Sequence, residues 1–358
     1  MSTRLSESGG GKQSNRPRNT DFLQQRLRSY PPSTPRSVIY AAAALALMGI
    51  IFIPTGTNLL SRMNAVFERV IVYDEPDAAD CHLGTTCTVT FTLDQDAPGP
   101  LFLLYELKNF YQNHRRYFKS RSELQLRGYN LAAEQVDLEC NPLLFNGSYL
   151  LNPCGLVANS FFNDVISLNS SSVSNAFLDE SNIALSSDVD TMFKQVSGFE
   201  SIRVGSLPSN NSCEYYGLDS ACSKNYYNPN DGSYYYYFYP NDDAVQYLYE
   251  SYPGIISPLA GVTDQHFIVW MRTASLPSFR KLYGVIGDKG SLFQSGDTFT
   301  FNIETNFDVT VFDGQKALVL TNLGPYSKNT FIGYSFWIGG IGLFSFAALM
   351  VLKEHYFL

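Results

Sequence analysis

The sequence predicts a membrane protein in which two transmembrane α-helices flank one large, antiparallel β-rich, sandwich-like domain bonded by disulfides. Three observations carry this expectation. Two uncharged apolar spans, Val38 to Leu60 and Asn329 to Leu352, lie near opposite ends of the 358-residue chain. All six cysteines fall between them. Several segments of that interval alternate apolar and polar residues, the period of a strand with one buried face.

Each span exceeds 20 residues and would form a helix of about 35 Å, long enough to cross a bilayer. The expected organisation is a disordered basic tail over residues 1–36 and a first transmembrane helix over 37–60. The β-rich domain follows over 61–328, then a second transmembrane helix over 329–352 and a short tail over 353–358. A cleaved signal peptide around Val38 to Ile53 with a single later anchor is the competing reading. Its leading segment and its apolar run would both be too long.

Charge sets the orientation. Arg4, Lys12, Arg16, Arg18, Arg26, Arg28 and Arg36 precede the first span against Glu7 and Asp21, a net +5. Lys353 and Glu354 cancel after the second span, so the chain's −8 leaves −13 for the central domain. Basic flanks remain cytosolic. Both termini are therefore expected in the cytosol, and the central domain on the lumenal or extracellular side. Ser6 to Thr20 is polar, with nothing to bury. Asp21 to Tyr30 has the pattern of a short helix that either rests on anionic lipid or docks on a cytosolic partner.

Cys81, Cys87, Cys140, Cys154, Cys213 and Cys222 indicate an oxidising compartment. Fifteen pairings are possible in principle, of which neighbour pairing is the simplest. No C-x-x-C occurs and the four histidines are scattered, which disfavours a zinc site. Asn146, Asn169 and Asn210 head glycosylation sequons, all on the expected lumenal side.

Strand signals run through the central domain. Val89, Phe91 and Leu93 alternate with Thr88, Thr90 and Thr92; Phe299, Phe301 and Ile303 alternate with Thr300, Asn302 and Glu304. Asp96 to Pro100 reads as a turn and Leu101 to Leu107 as the returning strand. Phe267 to Met271 and Lys316 to Thr321 are further strand candidates. Pairing early strands with late ones would bring the two spans together. Asn169 to Ser187 and Ser206 to Asp242 read as irregular excursions. The run Tyr234 to Tyr239 reads as a hairpin or loop covering neighbouring surface, with a binding face as the alternative.

Two segments interleave basic groups with aromatics: Asn109 to Arg121, and Ile268 to Ala274 followed by Leu276-Pro277 and Phe279 to Tyr283. A lumenal address and a −13 domain exclude nucleic acid as the partner. Cation–π and carboxylate pairs within the domain remain open, as does a patch facing headgroups or a partner through Arg115, Arg116 and Arg272.

With Asn152-Pro153-Cys154-Gly155-Leu156-Val157-Ala158-Asn159-Ser160-Phe161-Phe162-Asn163-Asp164, these segments resemble the cell division control protein 50 family. The resemblance extends over both spans and to Lys316-Ala317-Leu318-Val319-Leu320. Members of that family are non-catalytic β-subunits of type IV P-type ATPases, the phospholipid flippases, and have antiparallel β-rich exoplasmic domains. The resemblance implies a heterodimer with an ATPase in a phospholipid membrane of the endoplasmic reticulum, Golgi and endosomes, or cell surface. It implies a chaperone role in stability, endoplasmic reticulum exit and lipid translocation to the cytosolic leaflet. It places Cys140 and Cys154 at the family's shared cysteine pair. Asn163-Asp164 is followed by Val165, so no sequon arises there, and the pattern around Cys81 and Cys87 varies within the family.

Catalytic motifs do not compete with this reading. Asp288-Lys289-Gly290-Ser291 lacks the threonine of a phosphorylation motif, and Gly9 to Lys12 lacks the remainder of a P-loop. No G-x-S-x-G or H-E-x-x-H occurs. The chain is expected to be no enzyme and to need no cofactor or metal. Close helix approach is expected at Ser335, Gly339 and Gly340, toward the ATPase or the first span. Pro54 is expected to kink or end the first helix. The alternative classes are an independent membrane-anchored receptor for glycans or lipids, and an ectoenzyme with an unrecognised site.

Overall fold

The computed structural model describes residues 35–74, 81–204, 224–287, 290–322 and 329–357. The basic tail, Asn210, Cys213 and Cys222 lie outside them. The chain divides into a helical unit, built from residues up to Met63 and from Asn329 onward, and a central unit, Asn64–Lys328.

In the helical unit, Pro35–Asn64 and Phe331–Phe357 are helices long and apolar enough to cross a membrane. They pack antiparallel. A Cβ on Gly49 would meet the Phe344 ring at 2.8 Å, and one on Gly333 would meet Leu60 at 2.7 Å. Phe52 meets Phe336 edge-on at 5.1 Å, and the Trp337 indole donates to the Thr57 hydroxyl at 3.0 Å. Pro54 does not end its helix, which continues for ten more residues to Asn64. The Thr55 and Thr57 hydroxyls donate back to the Ile51 and Ile53 carbonyls, giving this stretch polar satisfaction of its own.

The central unit is built on two antiparallel sheets that contribute to one hydrophobic core. One orders its five strands Glu68–Val72, Gln315–Thr321, Leu101–Lys108, Phe279–Ile286 and Leu178–Asp179. The other orders Thr86–Thr92, Thr298–Glu304 and Val165–Ser171. Early strands do pair with late ones: Val70 lies opposite Val319, and Phe91 opposite Phe299. The alternation buries one face of the second sheet: Val89, Phe91, Phe299 and Phe301 join the core that Leu103, Leu107 and Leu318 of the first sheet also enter. Cys81–Cys87 and Cys140–Cys154 are bridged.

Two local expectations fail. Leu101–Lys108 is not the return of a hairpin from Thr86–Thr92, because the two strands belong to different sheets. Leu101, Leu103, Leu104, Tyr105 and Leu107 are all buried, so this strand has core on both faces and sits between Gln315–Thr321 and Phe279–Ile286. Phe267–Met271 is not a strand but most of the helix Gln265–Met271, capped by Asp264 accepting from the Phe267 amide. Its run is apolar on every side, and an apolar run without alternation carries no period to separate helix from strand. The antiparallel sheets are accompanied by one short parallel pair, Val245–Tyr247 with Tyr149–Asn152, in a small separate sheet. The tyrosine run forms the strand Ser233–Phe238, a hairpin with Asn225–Asn228 that also pairs with Glu200–Val204.

Candidate partner-binding site

The three unusual segments of the sequence meet in one place. The first hydrogen-bonds the third along its length: the Phe110 amide donates to the Pro277 carbonyl at 3.0 Å, and the Asn113 side chain to the Ser275 carbonyl at 3.0 Å. The buried Gln112 amide oxygen accepts from the Ala274 amide at 2.8 Å. The first holds the second through Ser120, whose hydroxyl accepts from the Leu156 amide at 2.9 Å and donates to the Cys140 carbonyl at 2.9 Å. The second holds the third through the Trp270 indole, which donates to the Val157 carbonyl at 2.8 Å.

Gly155 makes this closure possible. Its φ is +99°, in the region that favours glycine, and a Cβ there would lie 2.5 Å from the Ser120 carbonyl carbon and 2.9 Å from the Arg121 nitrogen. The Cys140–Cys154 bridge anchors the same junction. Beside it, Gln125 accepts from the Cys154 amide at 2.8 Å and donates to the Leu151 carbonyl at 3.3 Å. Phe110 lies at the centre, within 5.1–6.3 Å of the rings of Phe312, Trp270, Tyr117, Phe307 and Phe279.

Two of the basic groups in the third segment, Arg280 and Lys281, face inward, while Arg115, Arg116, Lys119 and Arg272 are exposed. The Lys281 ammonium donates to the carbonyls of Val269, Trp270 and Arg272 at 3.0, 2.6 and 2.7 Å, closing the end of the Gln265–Met271 helix. It also lies 5.0 Å from the Trp270 ring and 5.6 Å from that of Phe279. Burial pushes its pKa well below the usual lysine range, against the pull of those carbonyls. Arg280 joins Glu106 at 2.5 Å and Glu68 at 3.0 Å across the sheet. Lys316 meets Asp164 at 2.8 Å, and the same carboxylate accepts from Tyr73 and from the Asn306 and Phe307 amides. Burial, then Asp164, raises the Tyr73 pKa well above its ordinary value.

Arg272 is exposed but paired, forming two hydrogen bonds with Asp188 at 2.5 and 3.1 Å. That contact holds the Asp188 carboxyl below the usual range. The pair borders a cleft of about 330 Å³ shared with Arg121 and Glu123. Arg115 and Arg116 lie on the short helix Arg115–Lys119, exposed and without a side-chain partner among the described residues. The loops that flank them carry exposed apolar side chains, including Leu276 and Val311, 67% and 83% exposed. The Asn109 side chain ties the loops together, donating to the Phe312 carbonyl at 2.7 Å.

In the helical unit the small residues differ. A Cβ on Gly340 would meet Ile53 at 2.7 Å, so that glycine is used within the pair. Gly339 has its nearest neighbour, the Phe52 ring, at 3.6 Å, and Gly342 has open space. Ser335 is exposed and donates to the Phe331 carbonyl at 2.8 Å. Asn146 and Asn169 are both exposed; Asn169 occupies an irregularity in the pairing of Val165–Ser171 with Thr298–Glu304.

Sequence reasoning passed over Ser120, Gln112 and Gln125 as organisers. Ordinary polar residues give no pattern until their backbone partners are known. Lys281 was detectable: strand alternation puts it on the face of Phe279 and Tyr283, and an inward lysine needs partners.

Fold and site together define a class: a two-helix membrane protein whose disulfide-bonded β domain is closed by a knot of Ser120, Gly155 and Trp270. Comparison with known proteins narrows this. The model of the LEM3 (ligand-effect modulator 3) family / CDC50 family matches residues 54–357. Bovine "Cell cycle control protein 50A" is 32% identical over 97% of this chain and 92% of its own length. Human "Cell cycle control protein 50B" is 31% identical over 93% and 92%, and "ALA-interacting subunit 3" of Arabidopsis thaliana 32% over 93% and 85%. The chain belongs to the LEM3/CDC50 family.

Proposed function

We propose that this chain is the non-catalytic β-subunit of a type IV P-type ATPase that moves phospholipid from the exoplasmic to the cytosolic leaflet. Family membership across residues 54–357 carries the reading, and the name of the plant relative, an interacting subunit, supports it. The central unit stands in the lumen or outside the cell, with both termini cytosolic, in the endoplasmic reticulum, Golgi and endosomes, or plasma membrane. Asn146, Asn169 and Asn210 are the glycan acceptors there.

The physical role is that of a preformed clamp. A rigid surface that binds only the folded ATPase stabilises it by mass action and supports its exit from the endoplasmic reticulum. Arg115 and Arg116 contact the ATPase outside the membrane because their charges are exposed and unpaired, while Arg272 contributes only by sharing itself with Asp188. Ser335 and Gly339 offer a face for an ATPase helix; Gly340 acts by shaping the pair from within.

The test is purification of the tagged native protein in mild detergent, with mass spectrometry of what remains bound. A stoichiometric type IV P-type ATPase is the expected result. Recovery of a well-folded protein alone at its final membrane would reject the subunit reading in favour of a receptor.

A further inference from the structure

A cavity of about 120 Å³ lies inside the central unit, away from Arg115, Arg116 and Arg272. Its walls combine aromatic rings with acidic groups: Phe161, Phe162 and Tyr283 beside Glu180, Asp264 and Asp164, the last paired with Lys316, and no lysine or arginine among the described residues lines it. His266 is held at its edge by Glu180 at 2.9 Å and rests against the Tyr283 ring, with centroids 4.4 Å apart.

Tyr105 gives the cavity a second, independent mark. Its ring is stacked on Phe162, with centroids 4.0 Å apart and an interplanar angle of 5°. The residue is only 3% exposed and lines the cavity, yet its hydroxyl has no hydrogen-bond partner among the described residues. The hydroxyl opens onto the cavity, where a bound group can supply a hydrogen bond. Tyr283, by contrast, is already engaged, accepting from the Ile166 amide at 2.8 Å.

We propose that this cavity binds a small organic ammonium group, of the kind carried by ethanolamine or choline. The rings attract a cation through their faces, the Glu180 and Asp264 carboxylates balance its charge, and the Tyr105 hydroxyl takes a hydrogen bond from or gives one to the bound molecule. A volume of about 120 Å³ admits such a group and excludes a folded peptide. The same chemistry can arrive as a free amine or as the headgroup of a lipid. The assignment does not depend on the accessory-subunit reading.

The test measures binding of ethanolamine, of choline and of dioctanoyl phosphatidylethanolamine to the full-length protein in detergent, by equilibrium dialysis or calorimetry. Saturable binding is expected, weakened about tenfold by Glu180→Gln, the factor that ~1.4 kcal/mol of lost attraction sets. Asp264→Asn retains a helix-capping side chain and should act in the same direction. Tyr105→Phe keeps the stack on Phe162 and removes only the hydroxyl, so it should weaken binding with unchanged melting. Binding of the free amines identifies a soluble ligand; binding of the lipid alone identifies a headgroup. Either supports the site. No saturable binding of any probe, or binding indifferent to all three substitutions, overturns it.

Discussion

Replacing Gly155 with alanine adds one methyl group at the junction of the three segments. Two costs follow from the structure. At φ +99° a side chain is strained, by about 1–2 kcal/mol. The new Cβ also lies against the Ser120 carbonyl, which is backbone, so the strand of chain at Ser120 and Arg121 must move. Overpacking of this kind costs about 1–3 kcal/mol. The move also loosens the Val157 amide's bond to the Ser120 carbonyl, worth about 0.5–1.5 kcal/mol. Together these reach about 3–6 kcal/mol, a fall in melting temperature on the order of 10 °C for a domain of this size. Gly296→Ala is the matched control: its φ is +96°, but nothing lies within 4 Å of its Cβ, so it carries the first cost alone. Thermal unfolding of the two full-length variants in one detergent measures the difference. If both melt alike, close approach at Ser120 is not what requires the glycine, and the reasoning fails.

Arg115→Ala with Arg116→Ala should reduce recovery of the ATPase severalfold while leaving melting unchanged, since neither side chain has a partner among the described residues; a stability loss would show a structural role instead. Arg272→Ala should let the Asp188 carboxyl rise toward its ordinary value. Because pairing lowers that pKa, its stabilisation is present above the unfolded value and is lost as pH falls through the folded one. The variant should therefore lose less stability on acidification below pH ~4 than the parent, read from unfolding across pH. Gly340→Leu should disrupt the helix pair and lower the yield of monodisperse protein by size-exclusion chromatography, whereas Gly342→Leu, with open space at its Cβ, should not. Cys154→Ser should cost about 3 kcal/mol through the loss of a bridge spanning 14 residues, and leave the protein's glycans in their immature, endoglycosidase-sensitive form; normal maturation would count against it.

Gly339 illustrates how far small-residue patterns reach. The Ser335–Gly339 spacing signals a helix that permits close approach. It does not say which helix approaches, and the pair itself uses Gly333 and Gly340 most tightly. The aromatic and basic segments show the same limit. Their composition announced an unusual site, but an arginine paired with Asp188 and one facing solvent read identically in a sequence.

The sequence by itself determined the two long apolar helices, the alternating strands and the family resemblance. Each rests on a period or a composition along the chain, which neighbours in sequence are enough to define. Tertiary structure decided that Leu101–Lys108 crosses to the other sheet, that Phe267–Met271 is helical, and that Ser120, Gly155 and Trp270 close one knot. These depend on which surfaces are covered from both sides and on which backbone groups, about 35 to 115 residues apart, must find partners. That information belongs to the packed core and to no local window of the chain.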